Sequence, residues 1–154
     1  MRTVFLFIGF SLFFLNANAQ AADTTSDWQM IQKTLYRYID GQATSDSVMV
    51  GQAFHDSWQL KFFRDNEFKV ITKSQYLTGY KKRDTRPANW SGRIVFIDIS
   101  NDIAVAKVEI STLKLLFTDY FNLLKTNRGW LIVDKTSTRI PHKTVEVPAQ
   151  KPKE

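Results

Sequence analysis

Every second residue from 115 to 123 gives Leu115, Phe117, Asp119, Phe121 and Leu123, the set that shares one face of an extended strand. Four are apolar and the central one is a carboxylic acid. Charge is costly among phenyl rings, and burial there pushes a carboxyl's pKa upward. An acid so placed can act as a general base near neutral pH or hold the polar end of a ligand. Two structural readings compete. Asp119 can sit in a salt bridge or accept a hydrogen bond from a helix tyrosine, fixing packing alone. A bulge near Thr118 would instead flip the register and expose the acid.

Other residues could complete a site around it. Tyr38 follows Trp28, Ile31 and Leu35 at helical spacing and is the inward-facing tyrosine of that segment, whereas Tyr36 is turned about 200° away. A buried phenol needs a partner for its hydroxyl, and a plain core tyrosine is the competing reading. His55 has a reference pKa near neutrality and is a candidate proton shuttle. Its neighbour Asp56 faces the other way on a strand, so the two make no triad. Phe117, Phe121 and Trp90 are candidate ligand contacts, Trp90 from a loop that can form a lip. Trp130 is expected to pack the sheet. Asp40, near a helix C-terminus where the dipole disfavours acids, implies a partner such as Arg37 or Arg64.

Some chemistries are poorly served. There is no cysteine and only two histidines, His55 and His142, so no recognised metal-ligand spacing exists and no metal is expected. No cofactor is expected either: phosphate-loop, dinucleotide-fold and serine-nucleophile patterns are missing.

The elements that must position these residues follow from periodicity. A helix is predicted from Asp27 to Gly41, with Ser26 or Asp27 as cap and Gly41 as stop. A short helix, SVMVGQAF, follows, capped by Ser45 or Asp46. HDSWQLKFFR (55–64) and FKVIT (68–72) form a hairpin around DNEF. KSQYLTGYKKR (73–83) reads as a third helix, and the basic run Lys81–Arg86 as its solvated end rather than an anion patch. After the loop DTRPANWSG come four strands: RIVFIDI, IAVAKVEI, KLLFTDYFNLL and WLIVDKTSTRI. Asn101–Asp102 marks one turn and Gly129, free to adopt positive φ, marks another. Helices and strands segregated in this way give an α+β class.

The order resembles the nuclear transport factor 2-like superfamily, and within it the lumazine-binding-like and SnoaL-like bacterial branch. The carrying stretches are TLYRYIDGQATSDSVMVGQAFH (34–55), IVFIDISNDIAVAKVE (94–109) and TDYFNLLKTNRGWLIVDK (118–135). The resemblance implies a cone-shaped curved antiparallel sheet wrapped around N-terminal helices, often dimeric through the outer sheet face. It also implies that an acid in the cone can move a proton beside a carbonyl, as in ketosteroid-isomerase-type folds. Members differ widely in role, so fold alone does not select a function, and no flavin or pterin signature is visible.

Arg2 precedes the apolar run VFLFIGFSLFFL and an Ala17-x-Ala19 exit, which reads as a signal peptide over residues 1–19. A flexible leader (20–26), one domain (27–141) and a flexible tail (142–154) complete the expected organisation. The address is periplasmic or extracellular, with no membrane insertion after cleavage. A net charge of +6 favours anions, yet no nucleic-acid motif is present. Three functions fit these residues. One is a binding protein for a small apolar or aromatic ligand, with Asp119 and Tyr38 at its polar end. Another is a cofactor-free isomerase, dehydratase or cyclase with Asp119 as base and Tyr38 or His55 as donor. The third is an interaction module using the sheet face.

Overall fold

A computed structural model describes residues 18–142, with side chains described from Ser26 onward. The first helix, α1 (Asn18–Thr44), begins earlier than its pattern predicts, so Asp27 lies inside it and caps nothing. Its buried stripe is Asp27, Ile31, Leu35, Tyr38 and Ile39, with Trp28 turned outward. Thr34, on the same face, donates to the Trp130 carbonyl at 2.7 Å. Gly41 does not end the helix. A Cβ there would lie 2.6 Å from Val50 Cγ2, so the glycine lets α2 (Ser47–Ala53) press against α1. Asp46 caps α2 as expected, accepting from the backbone of Val48 and Met49 at 3.0 Å each.

The hairpin of β1 (Phe54–Arg64) and β2 (Glu67–Thr72) closes through Asp65 and Asn66, both at positive φ, the tight-turn geometry that suits strand twist. Helix α3 (Lys73–Thr78) is shorter than predicted. It opens on a capping box between Thr72 and Gln75 and stops before the basic run. Then come β3 (Ser91–Ser100), β4 (Ile103–Ser111), β5 (Leu115–Thr126) and β6 (Gly129–Pro141). Asn101 and Gly129 take positive φ in the turns the sequence marks for them.

The strands form one sheet in the order β2-β1-β6-β5-β4-β3. The α+β class holds, with one refinement: β1 runs parallel to β6, and every other pair is antiparallel. Helix α1 packs against β3 and β6, and the core lies between it and the inner sheet face. Phe54, Trp58, Phe121, Leu123, Val108 and Ile132 supply most of that face. Complete burial of one such side chain contributes roughly 1.5–3 kcal/mol.

Two register features decide what faces inward. Strand β5 runs without a bulge through Thr118, so Asp119, Phe121 and Leu123 are all buried. The irregularity lies at Val133 instead, where Asn122 pairs with Asp134 but Leu123 pairs with Ile132. The extra residue inverts the remainder of β6. Asp134 turns out toward Lys61, and Lys135 turns in opposite Phe121. Residues 1–17 and 143–154 lie outside the described residues, and with them most of the expected signal peptide and tail. His142, the first residue of that tail, donates its backbone N–H to the Lys114 carbonyl at 3.0 Å. No helix among the described residues is long and apolar enough to cross a membrane.

Asp27 pins the base of α1 to the β5–β6 turn. It accepts from Trp130 Nε1 at 2.9 Å and Lys125 Nζ at 3.0 Å. The indole bond and then Lys125 hold its carboxyl below the ordinary value, against the opposing effect of burial. A folded-state pKa below the unfolded one contributes stability above the unfolded value, about 3.9, and the contribution fades as pH falls through the folded value. Asp27→Asn is expected to cost about 1 kcal/mol at pH 7 in urea unfolding. The gap to the unsubstituted protein should shrink below pH ~4; a constant gap would contradict the assignment.

Candidate functional site

A cavity of about 550 Å³ opens between α1, the segment around α3 and the inner faces of β1, β5 and β6. Tyr38 reaches its floor from the inward stripe of α1, and Asp119 from the unbroken alternation of β5. The phenol donates to Asp119 Oδ2 at 2.6 Å. Lys135 Nζ donates to the same oxygen at 3.1 Å and to the Tyr38 oxygen at 2.7 Å. Ser137 donates to Asp119 Oδ1 at 2.6 Å. Asp119 and Lys135 are 1% and 4% exposed, so this is a buried ion pair. Of the alternatives open in the sequence, the inward-facing acid is paired rather than isolated: Asp119 has three donors, Tyr38, Lys135 and Ser137, one of them its counter-ion.

The ammonium of Lys135 lies 4.9 Å from the Tyr38 ring centroid and 5.3 Å from that of Tyr76, within cation–π range. Burial alone would lower the Lys135 pKa, but the Asp119 charge and then Tyr76 outweigh it, and the net shift is upward. Lys135 is thus an ammonium, unsuited to attack a carbonyl as a free amine. Burial first, then the Asp119 charge, raises the Tyr38 phenol well above its ordinary value, keeping it a proton donor to Asp119. Behind them Gln42 donates to the hydroxyls of Tyr76 and Tyr80. Burial, followed by the neighbouring Tyr76, pushes the Tyr80 phenol upward as well.

The floor is nearly saturated. An ionised carboxylate offers about four lone-pair sites, and three are taken. What remains is an acceptor position, which suits a hydroxyl or N–H of a bound molecule. Above the floor the walls are Leu60, Phe62, Ile110, Phe117 and Trp90. The mouth carries Arg64, Arg83 and Arg139.

The sequence-predicted residues divide cleanly. Tyr38, Asp119, Phe117 and Trp90 meet at the cavity. Phe121 lies one layer below, edge-on to Tyr38 with centroids 5.0 Å apart, and supports the floor without lining it. His55 is not brought to the site. Phe54 and Trp58 take the inward positions of β1, and the His55 ring meets Ser57 Oγ at 2.8 Å outside the cavity. Asp40 is partnered by Arg86 at 3.3 Å, not by Arg37 or Arg64. Sequence reasoning missed Lys135 and Ser137, because plain alternation from Trp130 and Ile132 points them outward and only the Val133 bulge reverses them. It also assigned Arg83 to a solvated helix end, whereas α3 stops short and the following loop carries Arg83 to the cavity mouth. No cluster of three or more potential metal ligands occurs among the described residues.

A curved sheet over a long helix, with a cavity between them, is the nuclear transport factor 2-like fold. The chain belongs to the family described as "Putative lumazine-binding", whose model matches residues 26–137. Among solved structures it is similar to a nuclear transport factor 2-like protein of unknown function from Shewanella baltica. That match has 23% identity and a TM-score of 0.70, covering 77% of this chain and 97% of the other. A second such protein, from Silicibacter pomeroyi, matches at 17% identity and TM-score 0.66, with 76% and 98% covered. A ketosteroid isomerase-like protein from Erwinia carotovora atroseptica matches at 16% identity and TM-score 0.56, with 73% and 95% covered. At these identities the likeness is one of fold. No curated protein matches the sequence significantly.

Removing one partner of a buried pair leaves an uncompensated charge, at a cost of about 3–5 kcal/mol, whereas replacing both with apolar groups is far less costly. Lys135→Met should therefore lose stability on that scale in urea unfolding. Asp119→Leu/Lys135→Met should lose less than Lys135→Met alone. A double variant as unstable as the sum of the single losses would show that the two groups are not coupled.

Proposed function

We propose that this chain is an exported small-molecule-binding protein whose cavity takes a mid-sized ligand with an apolar or aromatic body and acts without turnover. The observation that carries this reading is an open 550 Å³ cavity with aromatic walls over a floor whose donors are already committed. That volume lies within the range of small-molecule sites, roughly 300–1,000 Å³. Membership of a family described as lumazine-binding agrees with a ligand role. Buried Tyr38, Asp119 and Lys135 bond one another, an arrangement suited to positioning a ligand more than to proton abstraction. The export half of the proposal rests on Arg2, the apolar run after it and the Ala17-x-Ala19 exit.

A neutral fluorescent probe, N-phenyl-1-naphthylamine, tests the cavity directly. Emission should rise on binding, and Phe117→Ala should weaken affinity by about tenfold through lost apolar contact. Phe117 is only partly buried, so the variant is expected to fold. A probe that binds equally well without the ring would remove the cavity from the account.

We further propose self-association through the outer face of β3–β5, a reading supported by the exposure of Phe96, Val105 and Tyr120 there. Sedimentation should show a dimer that Val105→Glu dissociates; a monomer throughout would remove this part of the proposal.

A further inference from the structure

We infer that the cavity selects small amphiphilic anions, with the apolar body between Phe62, Phe117 and Trp90 and an oxyanion head held at the mouth by Arg64, Arg83 and Arg139. This rests on the reading of the cavity as a ligand site and adds the charge and orientation of what enters it.

The charge distribution of the lining is the first ground. Its acidic member is Asp119 alone, and that carboxylate is neutralised by Lys135 at 3.1 Å. Three further cations then remain, and they come from separate elements: Arg64 from the end of β1, Arg83 from the loop after α3, Arg139 from β6. Like charges gathered at one opening repel, and an anion relieves that repulsion.

Arginine pairing is the second ground. Arg86, Arg93 and Arg128 each have a carboxylate partner, in Asp40, Glu109 and Asp56. Arg64, Arg83 and Arg139 have no salt bridge among the described residues. Arg37, on the outer side of α1, shares that property, so it is their convergence on one cavity that sets the three apart. Two carboxylates in neighbouring segments are engaged elsewhere. Glu67 stands opposite Arg64 across the β1–β2 ladder but binds Lys69 at 2.7 Å. Asp46, beside the loop of Arg83, binds Lys82 at 2.8 Å. The guanidinium of Arg64 lies over the Phe62 ring, 4.9 Å from its centroid, which sets it at the cavity wall with no hydrogen bond from its N–H fork to the described residues. Such a fork matches a carboxylate or phosphate in a bidentate geometry.

Orientation follows from the floor. Lys135 directs its donors at Tyr38, Asp119 and Tyr76, so the deep end has no cationic donor to spare for an anion. The head must stay at the mouth, and the apolar part must point inward.

Three ligands of one shape test this by isothermal titration: 2-naphthoate, 2-naphthyl phosphate and the neutral methyl 2-naphthoate. At least one anion should bind about tenfold or more tightly than the ester, and whichever anion leads identifies the head group. In Arg64→Gln/Arg83→Gln/Arg139→Gln the ratio of anion to ester affinity should collapse toward unity. In Lys33→Gln/Arg37→Gln, which removes exposed charge from the outer side of α1, the ratio should persist. Should the triple variant fail to fold, salt decides: going from about 50 to 300 mM NaCl should weaken the anion and leave the ester unchanged. Equal affinity for ester and anions overturns this inference and leaves the cavity reading intact. Failure of all three to bind overturns both. A ratio lowered as much by the α1 substitutions as by the mouth substitutions would assign the effect to net charge and overturn the site.

Discussion

Asp119 and Lys135 face each other inside the sheet with almost no exposure, and each is tolerable there only because of the other. Taking two charges out of water costs several kcal/mol per ion, and their mutual attraction offsets this only when the remaining donors and acceptors are also satisfied. The Tyr38 phenol and the Ser137 hydroxyl meet that condition. The arrangement therefore binds α1, β5 and β6 to one another at one point. It also penalises any slip of β5 or β6, since a shift of one residue would separate the charges and turn the acid outward.

The character of the cavity follows from that pairing. Because the floor is neutral as a unit and its donors point at one another, it adds a single acceptor position rather than a reactive acid. The walls stay apolar because β1, β4 and β5 present alternate residues inward, with Leu60, Phe62, Ile110 and Phe117 at the depth of the opening. The charge that does act on an entering molecule is then the charge at the mouth. A small basic domain can have its net charge scattered over its surface. Here part of it converges on the mouth of the 550 Å³ cavity.

The parts of this structure visible in the sequence are those governed by local pattern. The 3.6-residue period of Ile31, Leu35 and Tyr38 marks the inward face of α1, and alternation in 115–123 marks the inward face of β5. Turn chemistry at Asn101 and Gly129 is equally local, as is the Asp46 cap. Tyr38 and Asp119 could therefore be named separately, and a bond between the acid and a helix tyrosine could be set down as one alternative. Trp28, by contrast, fits the helical period yet lies outside the buried stripe, because the packing of α1 on the sheet places Asp27 there and Trp28 one position round the turn.

What no local pattern carries is the pairing between distant strands. The parallel contact of β1 with β6 joins segments separated by most of the domain, and the bulge at Val133 is defined by how β6 pairs with β5 on either side of it. That one extra residue converts Lys135 from an exposed strand lysine into the counter-ion of Asp119. The path of the loop after α3 likewise converts Arg83 from a surface charge into part of a cavity mouth. The amino-acid order by itself thus determined the elements, their inward faces and the class of fold, since these depend on neighbours within a few residues. Tertiary structure alone decided which charges meet, because burial and pairing are set by residues brought together from across the chain.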